Sequence, residues 1–236
     1  MHVLAVIIAT MFSAWNVQPA TQGGAPFDII NMRLNDRGDV ECDLMSAAPS
    51  AATAWRVEVR IVQPDGSLRR HSAVTVDSFL IEAQRGVIPD AEIDAKFLRP
   101  SFPYRLIIPG RFAGSPILIA QTMVLGDGTA FGDPGTIDQI FARRRLERDA
   151  REQILTQLRA VQQSRRGLEA LNEARRRMIS PSNDAPDAHI WQAVGHNLEL
   201  ALRPSNDKID PDARLAAVVG LVEREYRVAA QQSVKR

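Results

Sequence analysis

His189 and His196, seven residues apart with Glu199 three further on, are the residues whose types come closest to a metal site. Seven helical residues separate two α-carbons by roughly 10.5 Å, whereas paired histidine ligands sit one turn apart. Gln192, Glu199 and Arg203 share the same ridge, which reads as a solvated helix face. Asp90, Glu92 and Asp94 place three carboxylates on alternate residues, an oxygen-rich pattern of the kind calcium takes. The stretch lacks the glycine and closing glutamate of a calcium loop, so a polar loop is expected there. Asn206, Asp207, Asp210 and Asp212 also supply oxygens. With Pro211 beside it, Asp210 reads as a helix N-cap, and Asp212 as a complement to the helix dipole. No metal or cofactor is expected.

The remaining chemistry lies in arginine. Between Arg143 and Arg177 stand 11 arginines against 5 acids, a balance of +6 in a chain whose net charge is +1. Arg143, Arg144, Arg145, Arg148, Arg151, Arg165, Arg166, Arg175, Arg176 and Arg177 are the candidate contacts for a polyanion or a partner. Matched acids at i,i+4, such as Arg143 with Glu147 and Glu147 with Arg151, favour a solvated helix instead. Aromatic residues are absent from Ala142 to Met178, which disfavours nucleic acid. The chain has no G-x-S-x-G, Walker A, Rossmann glycine run, C-x-x-C or H-E-x-x-H, so the commonest routes to catalysis are missing.

The elements that must position these residues change character near Asp133. Before it, Phe27 to Leu34, Val40 to Met45, Trp55 to Val62, Ser67 to Val76, Tyr104 to Ile108 and Ile117 to Leu125 read as strands. In Trp55-Arg-Val-Glu-Val-Arg-Ile61 the apolar side chains fall on one face and the charges on the other, as in a half-solvated antiparallel sheet. Asn35 to Asp39 and Pro64-Asp-Gly66 sit between strands as hairpin loops. After it, proline at Pro134 and the T-x-x-Q box of Thr136 and Gln139 open a helix that is expected to run toward Met178. Its charged middle needs no core and is expected to span solvent between two units. Apolar stripes from Asp187 to Arg203 and from Leu215 to Tyr226 add two more helices. The fold class expected is mixed β plus α. An antiparallel β-sandwich domain occupies 27–130, and an α-helical domain of about three helices occupies 134–236, packed as an antiparallel bundle.

Leu98-Arg-Pro100-Ser-Phe-Pro-Tyr104-Arg-Leu106-Ile-Ile108 resembles the L-x-P-x-x-x-Y-x-Φ-x-Φ corner of fibronectin type III domains. The resemblance covers about 27–126. It implies a fibronectin type III-like or immunoglobulin-like sandwich in which the tyrosine hydroxyl ties the incoming loop to a strand. It implies no activity, since such sandwiches host many unrelated functions.

The first residues supply an address. Val3 to Trp15 would make a helix of roughly 20 Å, short of the roughly 30 Å hydrocarbon core of a bilayer. Residues 1–22 therefore read as a signal peptide with a cut near Ala20, or as an uncleaved N-terminal anchor. Cys42 is the single cysteine, so no internal disulfide forms and the fold is held by packing. These readings converge on a non-enzymatic extracytoplasmic protein, periplasmic or secreted, that binds or scaffolds at a bacterial cell envelope. Its partner would be another envelope protein or an anionic envelope polymer, with the membrane reached through an uncleaved N-terminal segment. The alternatives are a hydrolase or carbohydrate-active protein with scattered carboxylates, recognised by a cleft of convergent acids, and a membrane-anchored assembly subunit whose helices contact a partner.

Overall fold

The computed structural model describes residues 24–110, 112, 115–178, 184–203 and 209–234. The signal or anchor segment expected over 1–22 lies outside the described residues. Strands β1 (Phe27–Leu34), β2 (Val40–Ser46), β3 (Ala52–Val62), β4 (Leu68–Asp77), β5 (Tyr104–Ile108), β6 (Pro116–Leu125) and β7 (Ala130–Gly132) all precede the long helices. They form two antiparallel sheets, β1-β2-β5 and β4-β3-β6-β7, arranged as a β-sandwich. Phe27, Ile29, Val40, Cys42 and Leu44 of the first sheet pack on Trp55, Val57, Val59, Leu118 and Met123 of the second. On β1, β2 and β3 these residues follow the period of two that puts alternate side chains on one face, and on β6 a register shift at Gln121 carries the inward face from Leu118 to Met123. The β3–β4 turn closes as expected, with Gly66 at φ 81 and the Asp65 carboxylate accepting from the Ser67 amide at 2.9 Å.

Sequence and structure part company between the strands. Glu58, expected on a solvated face, is nearly covered and accepts from Arg60 at 2.6 Å. The strand β7 was not expected, because three residues leave no periodic signal. Residues 78–103, which carry the chain from one sheet to the other, hold a 3₁₀ helix (Phe79–Gln84) and the short helix α1 (Asp90–Asp94). The carboxylates expected in a polar loop therefore sit on a helix turn. Arg85 reaches Asp90 at 3.3 Å and Asp94 at 3.2 Å, one turn apart on the same side. Tyr104 opens β5, its ring standing edge-on to Trp55 with centroids 5.3 Å apart.

Among the described residues the helical part contains α2 (Pro134–Ser164), α3 (Gly167–Arg177), α4 (Ala188–Leu202) and α5 (Pro211–Gln232), four long helices where about three were expected. Asp133 caps α2 through the Thr136 amide at 2.7 Å, so the Thr136–Gln139 box expected there is not the cap and Thr136 stands inside the first turn, whereas Asp210 caps α5 as the sequence predicted. The single helix expected to run to Met178 is broken at Arg165 and Arg166, both extended, after which α3 turns back. The break holds because Asp212, at the start of α5, accepts from the Gly167 amide at 2.7 Å and satisfies an orphan donor of α3. Ile154, Leu158, Val161, Leu171, Ala174, Trp191, Val194, Leu198, Leu215 and Val222 close around one another as the bundle core. No helix among the described residues is long and apolar enough to cross a membrane.

The charged middle of α2 does not span solvent. Ile137, Ile140 and Phe141 pack on Ala54 and Val124 of the second sheet, and Arg144, Glu147 and Arg151 follow on the same buried stripe before Ile154. The two parts meet along this stripe.

Candidate functional site

The polar groups that α2 carries into this seam are the most unusual chemistry in the chain. Arg144 has a side chain with 0% exposure, and its partner Asp77, at the end of β4, has 2%. Arg144 donates to Asp77 through Nη2 at 2.7 Å and Nε at 3.2 Å, to the Thr53 hydroxyl at 3.0 Å, and to the Gln232 carbonyl at 3.4 Å. Its guanidinium lies 4.8 Å from the Phe79 ring centroid and 5.7 Å from that of Phe141. A planar, weakly hydrated cation suits such a stacked and forked site, where a lysine could satisfy neither feature. Four segments converge on this one side chain: β3, β4 with the 3₁₀ helix that follows it, α2, and the end of α5.

Two turns further along α2, Arg151 binds Glu147 on its own helix and Glu225 of α5, the latter at 2.9 Å. His189 of α4 approaches the other oxygen of Glu147 at 3.3 Å. Arg224 of α5 donates to the Ala83 carbonyl in the 3₁₀ helix at 3.1 Å, so the last helix is tied to the crossover as well. Between them opens a groove of about 280 Å³ lined by Asp77, Ser78, Leu80, Ile81, Gln84, Lys96 and Glu225. It lies where the crossover meets α5, and junctions between units are a usual location of small-molecule clefts. Both of its carboxylates are already engaged, Asp77 by Arg144 and Glu225 by Arg151. They act as counter-ions to buried guanidinium groups, and the groove offers a ligand mainly the Lys96 ammonium, the Ser78 hydroxyl and the Gln84 amide.

The ten candidate arginines are dispersed by the fold. Arg144 and Arg151 point into the seam, while Arg143 and Arg145, one helical step to either side of Arg144, are exposed. Arg148 pairs with Asp149 at 2.6 Å, and Arg165 with Glu169. Arg166 bonds the Gln162 carbonyl, closing the end of α2. Arg175 binds Glu199 across to α4 and holds that carboxyl below the usual range. Arg176 and Arg177 share Glu173, each at 2.8 Å. His189 and His196 remain separate, His196 lying 3.8 Å from Glu199. Among the described residues, no group of three or more His, Cys, Asp or Glu could hold a metal ion. Asn206 and Asp207 lie outside the described residues.

Sequence reasoning missed Asp77, Thr53, Glu225, Gln232 and Lys96. A signal for the first four was present on α2. Arg144, Glu147 and Arg151 continue the helical spacing of Ile137, Ile140, Ile154 and Leu158, and polar residues in a core register call for buried partners. Comparison with protein-family models, curated proteins and solved structures finds no match for this chain, and the site stands on its geometry alone.

Proposed function

We propose that this chain is a non-enzymatic binding or scaffolding protein of the bacterial envelope, working as one body made of a sandwich and a helical bundle. The observation that carries this reading is the enclosed Arg144. A buried arginine is costly, and its best-attested return is to fix the register between elements rather than to add stability. Here it fixes the angle between two units, which a scaffold needs in order to present its surfaces in a constant relation. The address comes from residues 1–22 and the partner class from the exposed arginines Arg143 and Arg145. The test is fractionation of native cells with sequencing of the mature N-terminus. Recovery in the envelope fraction, cut near Ala20 or intact in the membrane, supports the reading, and full-length protein in the cytosol overturns it.

We further infer that the sandwich is fibronectin type III-like. Against the immunoglobulin constant arrangement, A-B-E-D facing C-F-G, the fourth strand lies beside the third on the other sheet. Strand order supports this reading, and the local corner pattern does not. The corner tyrosine belongs near the start of strand F, whereas Tyr104 opens the fifth strand.

A hydrolase remains the second reading because Asp77 and Glu225 line one groove. Its test is turnover of a panel of glycoside and ester substrates by the native chain and by Glu225→Gln. Turnover that falls at least about a hundredfold in the variant would favour it, that being the usual size of a general acid–base contribution.

A further inference from the structure

Among the described residues, three of the four buried side-chain polar atoms without a hydrogen-bond partner gather at one place: Arg56 Nε, Thr122 Oγ1 and Gln121 Oε1. The register sets Arg56 directly opposite Thr122, and its jump from Arg56–Thr122 to Val57–Ala120 makes Gln121 the extra residue of a bulge beside them. Alternation carries Arg56 and Thr122 to the face on which α2 packs, since Ala54 and Val124, two residues from each, meet Ile137 and Phe141 there. Thr122 is 0% exposed and pairs with Gly132, the residue before the Asp133 cap, so its hydroxyl stands beside the start of α2. Arg56 is half-buried, yet no hydrogen bond or ion pair of the described residues involves it. The acids on this face are engaged elsewhere. Asp133 accepts from the Thr136 amide at 2.7 Å, and Glu58, two residues along β3, accepts from Arg60 at 2.6 Å. Buried polar atoms left unpaired destabilise a fold, so three together mark a place whose partner comes from outside the chain.

We propose that Arg56, Thr122 and Gln121 receive a carboxylate at the start of α2. The Arg56 Nε–H and the Thr122 hydroxyl donate to its oxygens, and the Gln121 amide, turned to present its NH2 group, supplies a third donor. The N-terminal end of the α2 dipole adds positive potential. The Asp133 charge nearby favours a singly charged carboxylate over a doubly charged phosphate. Thr75, paired with Arg56 on the edge strand β4, is exposed, so the row Thr75–Arg56–Thr122 opens to solvent at that end. The proposal is independent of the envelope reading, because binding is measured on purified protein.

The experiment is titration of the full-length chain with sodium acetate, and separately with inorganic phosphate, at fixed ionic strength with chloride as the balancing ion. Backbone amide resonances of β6 and of the first turn of α2 report binding. Acetate should shift them saturably and bind more tightly than phosphate. Arg56→Gln and Thr122→Val should each weaken acetate at least about tenfold, the size of one lost hydrogen bond to a charged group. Circular dichroism should stay unchanged in both variants, because neither substitution strands a partner. Arg143→Gln, the same charge change on the exposed side of α2, should alter affinity less than about twofold. Shifts that never saturate, or that are equal in wild type and Arg56→Gln, would overturn the proposal. Equal losses in Arg56→Gln and Arg143→Gln would overturn it in favour of a net-charge effect. Tighter binding of phosphate than of acetate would overturn the carboxylate in favour of a phosphate-bearing ligand.

Discussion

Replacing Arg144 by methionine keeps most of the side-chain volume between Phe79 and Phe141 but strips Asp77 of its counter-ion. Asp77 then holds a carboxylate with 2% exposure, and the guanidinium bonded to it is gone. Breaking a buried ion pair from one side costs about 3–5 kcal/mol, because the stranded charge keeps its desolvation penalty. Thr53 loses less, since its hydroxyl still reaches the Val124 carbonyl at 3.4 Å. For a chain of 236 residues, 1 kcal/mol shifts Tm by about 2–4 °C, so a loss of about 4 kcal/mol lowers it by about 8–16 °C. The companion variant, Asp77→Leu with Arg144→Met, removes both charges. Replacing a buried pair by apolar residues is often neutral, so the double variant should recover at least about 2 kcal/mol of the loss. Urea denaturation of wild type, both single variants and the double variant measures the coupling directly. A single variant within about 1 kcal/mol of wild type, or a double variant no more stable than Arg144→Met, would refute the view that this pair is enclosed and locks the seam.

Asp133→Ala removes the α2 cap and should cost about 1 kcal/mol at neutral pH. Its bonds to Thr136 hold the carboxyl below the usual range, so this stability is present above the unfolded pKa and lost as pH falls through the folded one. The gap between wild type and variant, read by thermal melts, should therefore close in acid. Burial pushes the Cys42 thiol up to about 12 from 9.0, so it should resist a thiol reagent at pH 8 in the native state and react fully in denaturant. The same shift removes stability as pH rises above about 9, where the unfolded thiol ionises and the folded one does not. Gly132→Ala should be severely destabilising, on the order of 3 kcal/mol or more. Gly132 has φ 101, and a Cβ there would collide with the Gln121 backbone. Amide exchange should show the β7–α2 junction opening first.

The strands were legible because each writes its own alternation. Trp55, Val57 and Val59 are apolar at every second position, and all three are buried between the sheets. The start of α2 was legible for a similar reason, as Pro134 and Thr136 are local signals of a helix N-terminus. The break at Arg165 and Arg166 was not, because the group that stabilises it, the Asp212 carboxylate, lies 45 residues away. The seam was illegible in the same way. Arg144 meets its partners 67, 88 and 91 residues distant, and i,i+4 pairing with nearby acids offered a local explanation that the fold does not use for it.

Sequence alone determined the order of sheet and helix, the core faces of the strands, where α2 starts, the capping of α5, and the lack of an internal disulfide. These depend on local periodicity, backbone preference and composition, all of which are carried within a few residues. Tertiary structure decided which arginines are buried and which stay free, how many helices the bundle has, and that Asp77 and Glu225 border one groove. A charge is solvated or enclosed according to what packs over it, and what packs over it here comes from the far end of the chain.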